Sequence, residues 1–103
     1  MEKKDLKPAA LFQYFEEICQ VPRPSKREEK IIAYLKAFGE KHHLETKIDE
    51  AGNVLIKKPA TKGMEDCKTV VLQSHIDMVC EKNNDVEHDF LTDPIQTVID
   101  GEW

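Results

Sequence analysis

The sequence predicts an α/β fold in which helices pack over a sheet. Three observations carry that reading. Two stretches place apolar residues at helical spacing. A later stretch alternates apolar and polar residues around a turn. The short β-branched run Thr69-Val70-Val71-Leu72-Gln73 then has the composition of a central strand covered on both faces.

The first helix is expected over residues 8–19, where Leu11, Phe12, Phe15, Ile18 and Cys19 fall on one face. Asp5 is placed to cap its start, and proline is tolerated in a first turn. Two prolines in Val21-Pro22-Arg23-Pro24 end the helix, because neither can continue one. Ser25 opens the second helix, and with Glu28 it has the spacing of a capping box. Ile31, Ile32, Leu35 and Phe38 supply the buried stripe of that helix, which fades around residues 39–43.

Leu44, Thr46 and Ile48 alternate with charged residues, as in a half-buried strand. Asp49-Glu50-Ala51-Gly52-Asn53 supplies a turn, and Val54-Leu55-Ile56 forms the return arm of a hairpin. Residues 59–68 read as a loop, 69–73 as the covered strand and 81–93 as irregular. A further strand is expected over 95–99. Asp100-Gly101 then has the character of a tight turn, with Glu102 and Trp103 starting a return strand. A hairpin lacking its second arm leaves backbone groups unpaired, so the chain is expected to be part of something longer.

Composition narrows the function. The 103 residues suit one compact domain or a portion of a larger one. With 15 basic against 20 acidic residues the formal net charge is −5, and no long basic stretch appears. Nucleic acid is therefore not an expected partner. No apolar run approaches the roughly 20 residues that cross a bilayer, so a membrane is not expected either. The start is charged and Pro8 follows it, so a secretory signal is not expected. Three cysteines, Cys19, Cys67 and Cys80, form no Cys-x-x-Cys pair and read as buried, reduced thiols of a cytoplasmic protein.

The candidate site is Ser74-His75-Ile76-Asp77. It directly follows the apolar run, and functional groups of open α/β sheets gather at the carboxyl ends of strands. On an extended chain His75 and Asp77 share a side while Ile76 faces the core. A neutral imidazole is a good zinc ligand, and a nearby carboxylate can fix its tautomer. By itself the His-x-Asp pattern is short, and it favours a hydrogen-bonded histidine and a capping aspartate over a metal site. The adjacent His42 and His43 read as solvated residues at a helix C-terminus, where the dipole favours them when protonated. His88 reads as a loop hydrogen-bonding residue, and Cys80 as a spectator near the site.

Several ordered blocks resemble the aminoacyl-histidine dipeptidases, the bacterial carnosine-cleaving group within the M20 zinc metallopeptidases. They include Phe15-Glu16-Glu17-Ile18-Cys19, Pro22-Arg23-Pro24-Ser25, Gly52-Asn53-Val54-Leu55-Ile56 and Lys58-Pro59-Ala60-Thr61. The strongest is Val70-Val71-Leu72-Gln73-Ser74-His75-Ile76-Asp77-Met78-Val79, followed by Asp93-Pro94-Ile95 and Ile99-Asp100-Gly101-Glu102-Trp103. The resemblance implies that residues 1–103 are the N-terminal portion of a three-layer helix-sheet-helix catalytic domain with a mixed sheet. It implies two zinc ions, or other divalent metals, with His75 ligating one ion and Asp77 orienting His75 as an active-site residue. It further implies dipeptide substrates, cytoplasmic location and a homodimer, with the remaining ligands and the general base beyond Trp103.

A catalytic zinc takes three protein ligands plus water, and only His75 is assignable here. The chain alone is therefore expected to be inactive. Two other readings stand beside this one: a non-catalytic α/β binding module derived from such an enzyme, and a related M20 aminoacylase or exopeptidase of different substrate range.

Overall fold

A computed structural model describes residues 3–100. Two units are distinguished within it. One comprises the residues up to Ile31 together with those from Asp77 onward, and the other comprises Ile32–Ile76.

In the first unit a short 3-10 turn, Lys3–Asp5, precedes helix α1, Ala9–Cys19. Asp5 lies in that turn, ahead of the N-cap position. Pro8 is the N-cap, in extended conformation and with no side-chain cap bond. Its carbonyl still accepts the Phe12 N–H at 3.3 Å. The helical face is covered only in part: Cys19 is 3% exposed, Phe12 and Ile18 are half-buried, and Leu11 and Phe15 are exposed.

Arg23 closes the other end of α1. Its Nη1 donates to the Ile18 carbonyl at 2.6 Å and to the Val21 carbonyl at 3.3 Å. A cation suits this position, where the last carbonyls of a helix have no partner within it. Near the far end of the unit the Ile95 N–H donates to the Cys19 carbonyl at 2.9 Å, and the Thr97 hydroxyl donates to the Glu16 carboxylate. These bonds run from 95–97 back to the helix, and the expected strand over 95–99 does not form. Between them, Asp89 organises a turn. Its carboxylate accepts the Leu91 N–H at 2.9 Å, and the Asp93 carboxylate accepts the Asp89 N–H at 2.8 Å. His88 packs its ring against Phe90, with centroids 5.0 Å apart.

Helix α2, Glu29–Lys41, begins in the first unit and continues into the second. Ile31 is 1% exposed, while Ile32, Leu35 and Phe38 are half-buried, so the expected stripe is the covered one. The helix starts later than the capping box required. Lys26 has a positive φ of 69°, and the Glu28 carboxylate accepts the Lys26 N–H rather than that of Ser25. The helix stops at His43, whose φ is 57°. The Leu44 N–H reaches back to the Gly39 carbonyl and the His43 N–H to the Glu40 carbonyl, the bond pair of a left-handed helix stop. His42 and His43 are both exposed, and His42 lies 4.4 Å from the Phe38 ring, centroid to centroid.

The second unit holds the hairpin as expected. Strands β1, Glu45–Ile48, and β2, Val54–Lys57, pair antiparallel with Thr46 opposite Ile56 and Ile48 opposite Val54. Asp49 builds the turn. One carboxylate oxygen accepts the N–H groups of Ala51 and Asn53 at 3.0 and 2.8 Å, and the other accepts the Asn53 side-chain amide at 2.8 Å. Gly52 follows at φ 89°, a conformation that glycine adopts at little cost.

The expected strand over 69–73 is absent from the structure. Residues 68–77 are irregular, and Val70, Val71 and Leu72 are 78%, 77% and 93% exposed. The physical reason is pairing. An apolar, β-branched run has strand propensity, but a strand forms only where neighbours accept its backbone hydrogen bonds. Among the described residues the sheet has two strands, β1 and β2.

Candidate functional site

The residues singled out by the sequence are divided between the two units. His75 is exposed and belongs to the second unit; Asp77 is half-buried and opens the returning part of the first. Ile76 is half-buried, as Asp77 is, so burial does not separate the two faces here.

Asp77 is held by a segment more than fifty positions upstream. Pro24 and Met78 form a parallel bridge. The Met78 N–H donates to the Arg23 carbonyl at 2.9 Å, and the Ser25 N–H donates to the Met78 carbonyl at 3.1 Å. On this backbone clamp the Ser25 hydroxyl donates to Asp77 Oδ2 at 2.5 Å. That length is in the range of a charge-assisted O–H to carboxylate bond. Arg23 thus links two tasks, its side chain on the end of α1 and its carbonyl on Met78.

Neither Ser25 nor Arg23 appeared among the sequence-predicted site residues. Ser25 and Asp77 are 52 positions apart, and the local pattern around Ser25 has the form of a helix cap. Nothing in spacing alone could have joined them.

A cavity of about 320 Å³ lies in the first unit. Apolar groups of Val21, Pro22, Met78 and Phe90 line it together with Arg23 and His88. Neither Asp77 nor His75 lines it. Of the cysteines, Cys19 is buried, whereas Cys67 and Cys80 are exposed, so the expectation of buried thiols holds for one of three. Burial pushes the Cys19 thiol above its ordinary range, outweighing the opposing effect of the nearby Arg23.

Among the described residues no three His, Cys, Asp or Glu side chains come together in a way that could hold a metal ion. His75 is thus one candidate ligand without a completed set. No helix among the described residues is long and apolar enough to cross a membrane.

No family model matches the chain. Individual proteins do. The chain is 49% identical over 102 residues to the cytosol non-specific dipeptidase of Escherichia coli (strain K12), a match covering 99% of this chain and 21% of that protein. Among solved structures it superimposes on the aminoacylhistidine dipeptidase from Vibrio alginolyticus with a TM-score of 0.94 and 52% identity. That match covers 100% of this chain and 21% of the solved one. The chain therefore spans about a fifth of the length of the relatives it matches. The helices and the small antiparallel sheet agree with the expected α/β class.

Proposed function

Taking as premise that the chain is a close homologue of dipeptidases, we propose that it forms part of a metal-dependent enzyme that hydrolyses dipeptides. The observation that carries this reading is identity near one half, sustained over essentially the whole chain and joined to near-coincidence of the fold. The substrate class proposed is small dipeptides, including those ending in histidine, and the location proposed is the cytoplasm. Residues 1–103 are proposed as the N-terminal portion of a three-layer catalytic domain with a mixed sheet, in an enzyme acting as a homodimer.

Within that reading His75 is proposed as a ligand to zinc or a similar divalent ion, and Asp77 as an active-site residue that supports it. Exposure of His75 is compatible with ligation, because an imidazole buried among aliphatic groups could not reach a metal. The described residues do not by themselves make up a metal centre. The other ligands are proposed to come from the stretches of the longer relatives that have no counterpart here.

A chimera tests the proposal. This chain replaces the matching fifth of the solved Vibrio alginolyticus relative, and the product is assayed for dipeptide cleavage and for bound metal by mass spectrometry. A folded chimera that cleaves dipeptides, and whose His75→Ala variant loses metal and more than about a hundredfold in activity, supports it. That drop exceeds the roughly 10- to 100-fold typical of outer-shell partners. A chimera that folds and holds metal but cleaves nothing would point to a binding module; cleavage of acylated amino acids instead of dipeptides would point to an aminoacylase.

A further inference from the structure

The geometry points to Ser25 as a positioning residue for Asp77, acting by fixing the rotamer of its carboxylate. The inference rests on the reading of Asp77 as an active-site residue.

The Ser25 hydroxyl has one proton to donate. Two acceptors lie near Ser25 Oγ: Asp77 Oδ2 at 2.5 Å and the Met78 carbonyl at 3.3 Å. The shorter contact takes the proton. Ser25 is also released from its expected task at the start of α2. The left-handed turn at Lys26 swings the chain away, and Glu28 serves the Lys26 N–H instead. The donor is itself fixed in place. Backbone bonds from Ser25 to Met78 and from Met78 to Arg23 set the two segments side by side on both flanks of Asp77's neighbour. Arg23 in turn is anchored on the end of α1.

A carboxylate can accept from more than one donor. The Ser25 donor, held on Oδ2 by paired backbone, therefore restricts the side chain and leaves room for other donors. Orientation of this kind matters in a site whose groups must be held to within a fraction of an ångström.

A merely structural staple would show itself differently. Removal of a staple would free the backbone of residues 23–25 and 77–78. Removal of a positioning hydroxyl would leave those backbone bonds in place and release only the Asp77 carboxylate.

The test has two arms. In the 103-residue chain, carbon-13 NMR of the aspartate carboxylates is recorded for Ser25→Ala, Ser25→Cys and Ser25→Thr, with amide exchange at Ser25 and Met78 as the backbone control. The Asp77 carboxylate resonance is expected to move in the alanine and cysteine variants and to return with threonine, while amide exchange stays within about twofold. In the active chimera, kcat is expected to fall about tenfold in Ser25→Ala, the lower end of outer-shell effects, with KM little changed and threonine restoring most of the loss. An unmoved Asp77 resonance overturns the inference, as does an unchanged kcat. Equal losses with alanine and threonine, or amides that open together with the carboxylate, also overturn it in favour of a staple. Ser25→Cys is nearly isosteric and a weak donor, and serves if the alanine variant fails to fold. An inactive wild-type chimera would instead count against the dipeptidase reading, and the NMR arm would still decide whether Ser25 holds Asp77.

Discussion

Gly39 on α2 faces Thr46 on β1 so closely that a methyl group on its Cα would lie 1.9 Å from Thr46 Oγ1 and 3.0 Å from Thr46 Cβ. Glycine in a helix is ordinarily a weakness of up to about 1 kcal/mol relative to alanine. Here it is what allows helix and hairpin to meet. Thr46 cannot simply turn aside: it is β-branched, and its hydroxyl donates to the Leu44 carbonyl at 3.1 Å.

Gly39→Ala is accordingly expected to destabilise the chain. Overpacking costs about 1–3 kcal/mol, which exceeds the gain in helix propensity. Adding Thr46→Ala should recover most of the loss, since only the 3.0 Å contact to Cβ then remains. Urea unfolding of the two variants and of the double variant measures the coupling.

The hairpin turn should depend on pH through Asp49. Hydrogen bonds from the Asn53 side chain and backbone, and from Ala51 and Gly52, hold its carboxyl below the ordinary aspartate value. A depressed folded value means that its contribution is complete above about pH 3.9, the unfolded reference, and drains away as pH falls below it through the lower folded value. The amide resonances of Ala51 and Asn53 should therefore titrate with a midpoint below 3.9. Asp49→Asn should abolish that titration and loosen the turn at neutral pH.

Thiol chemistry should separate the three cysteines. Cys67 and Cys80 are exposed and should react promptly with a disulfide reagent at pH 8. Cys19 is buried and its thiol is pushed up in pKa, so little of the nucleophilic thiolate is present. Two equivalents of thiol released from the native chain and three after denaturation are the expected counts. Prompt reaction of all three would show that the carboxyl end of α1 is open.

Arg23→Ala should cost about 1.5–3 kcal/mol in urea unfolding, the range for hydrogen bonds to a charged group. The Ile18 and Val21 carbonyls are the acceptors left behind. Because Arg23 also lowers the Cys19 pKa, its removal should slow any residual reaction of that thiol further.

The local elements were readable in the sequence, and the reasons are local ones. α2 and the hairpin depend on apolar spacing and on the turn chemistry of Asp49 and Gly52, all within a few residues of one another. Apolar spacing marks the start of α1 to within one residue, but not its cap. Asp5 had the right chemistry but sits in a separate turn, and Pro8 occupies the cap. Periodicity selected the right face of α1 without saying whether anything covers it, and Leu11 and Phe15 remain in solvent.

Elements that depend on distant partners were not readable. A β-branched run declares a propensity, and whether 69–73 becomes a strand depends on neighbours that propensity does not supply. Ser25 fitted a capping box, but a carboxylate 52 positions away competes for its hydroxyl and takes it. For the site itself, local pattern marks His75 and Asp77, whereas the groups that hold Asp77 lie more than fifty positions away and share no local pattern with it.

The bareness of Val70, Val71 and Leu72 has a further consequence, for the behaviour of this polypeptide in concentrated solution. From Thr69 to Ser74 the segment carries no charge and no proline to act as a gatekeeper. Six such residues, apolar and β-branched at their centre, match the signature of segments that stack into fibrils. Molecules of this chain are thus each other's hazard, and a lysine introduced at position 71 would lengthen the shelf life of a purified sample.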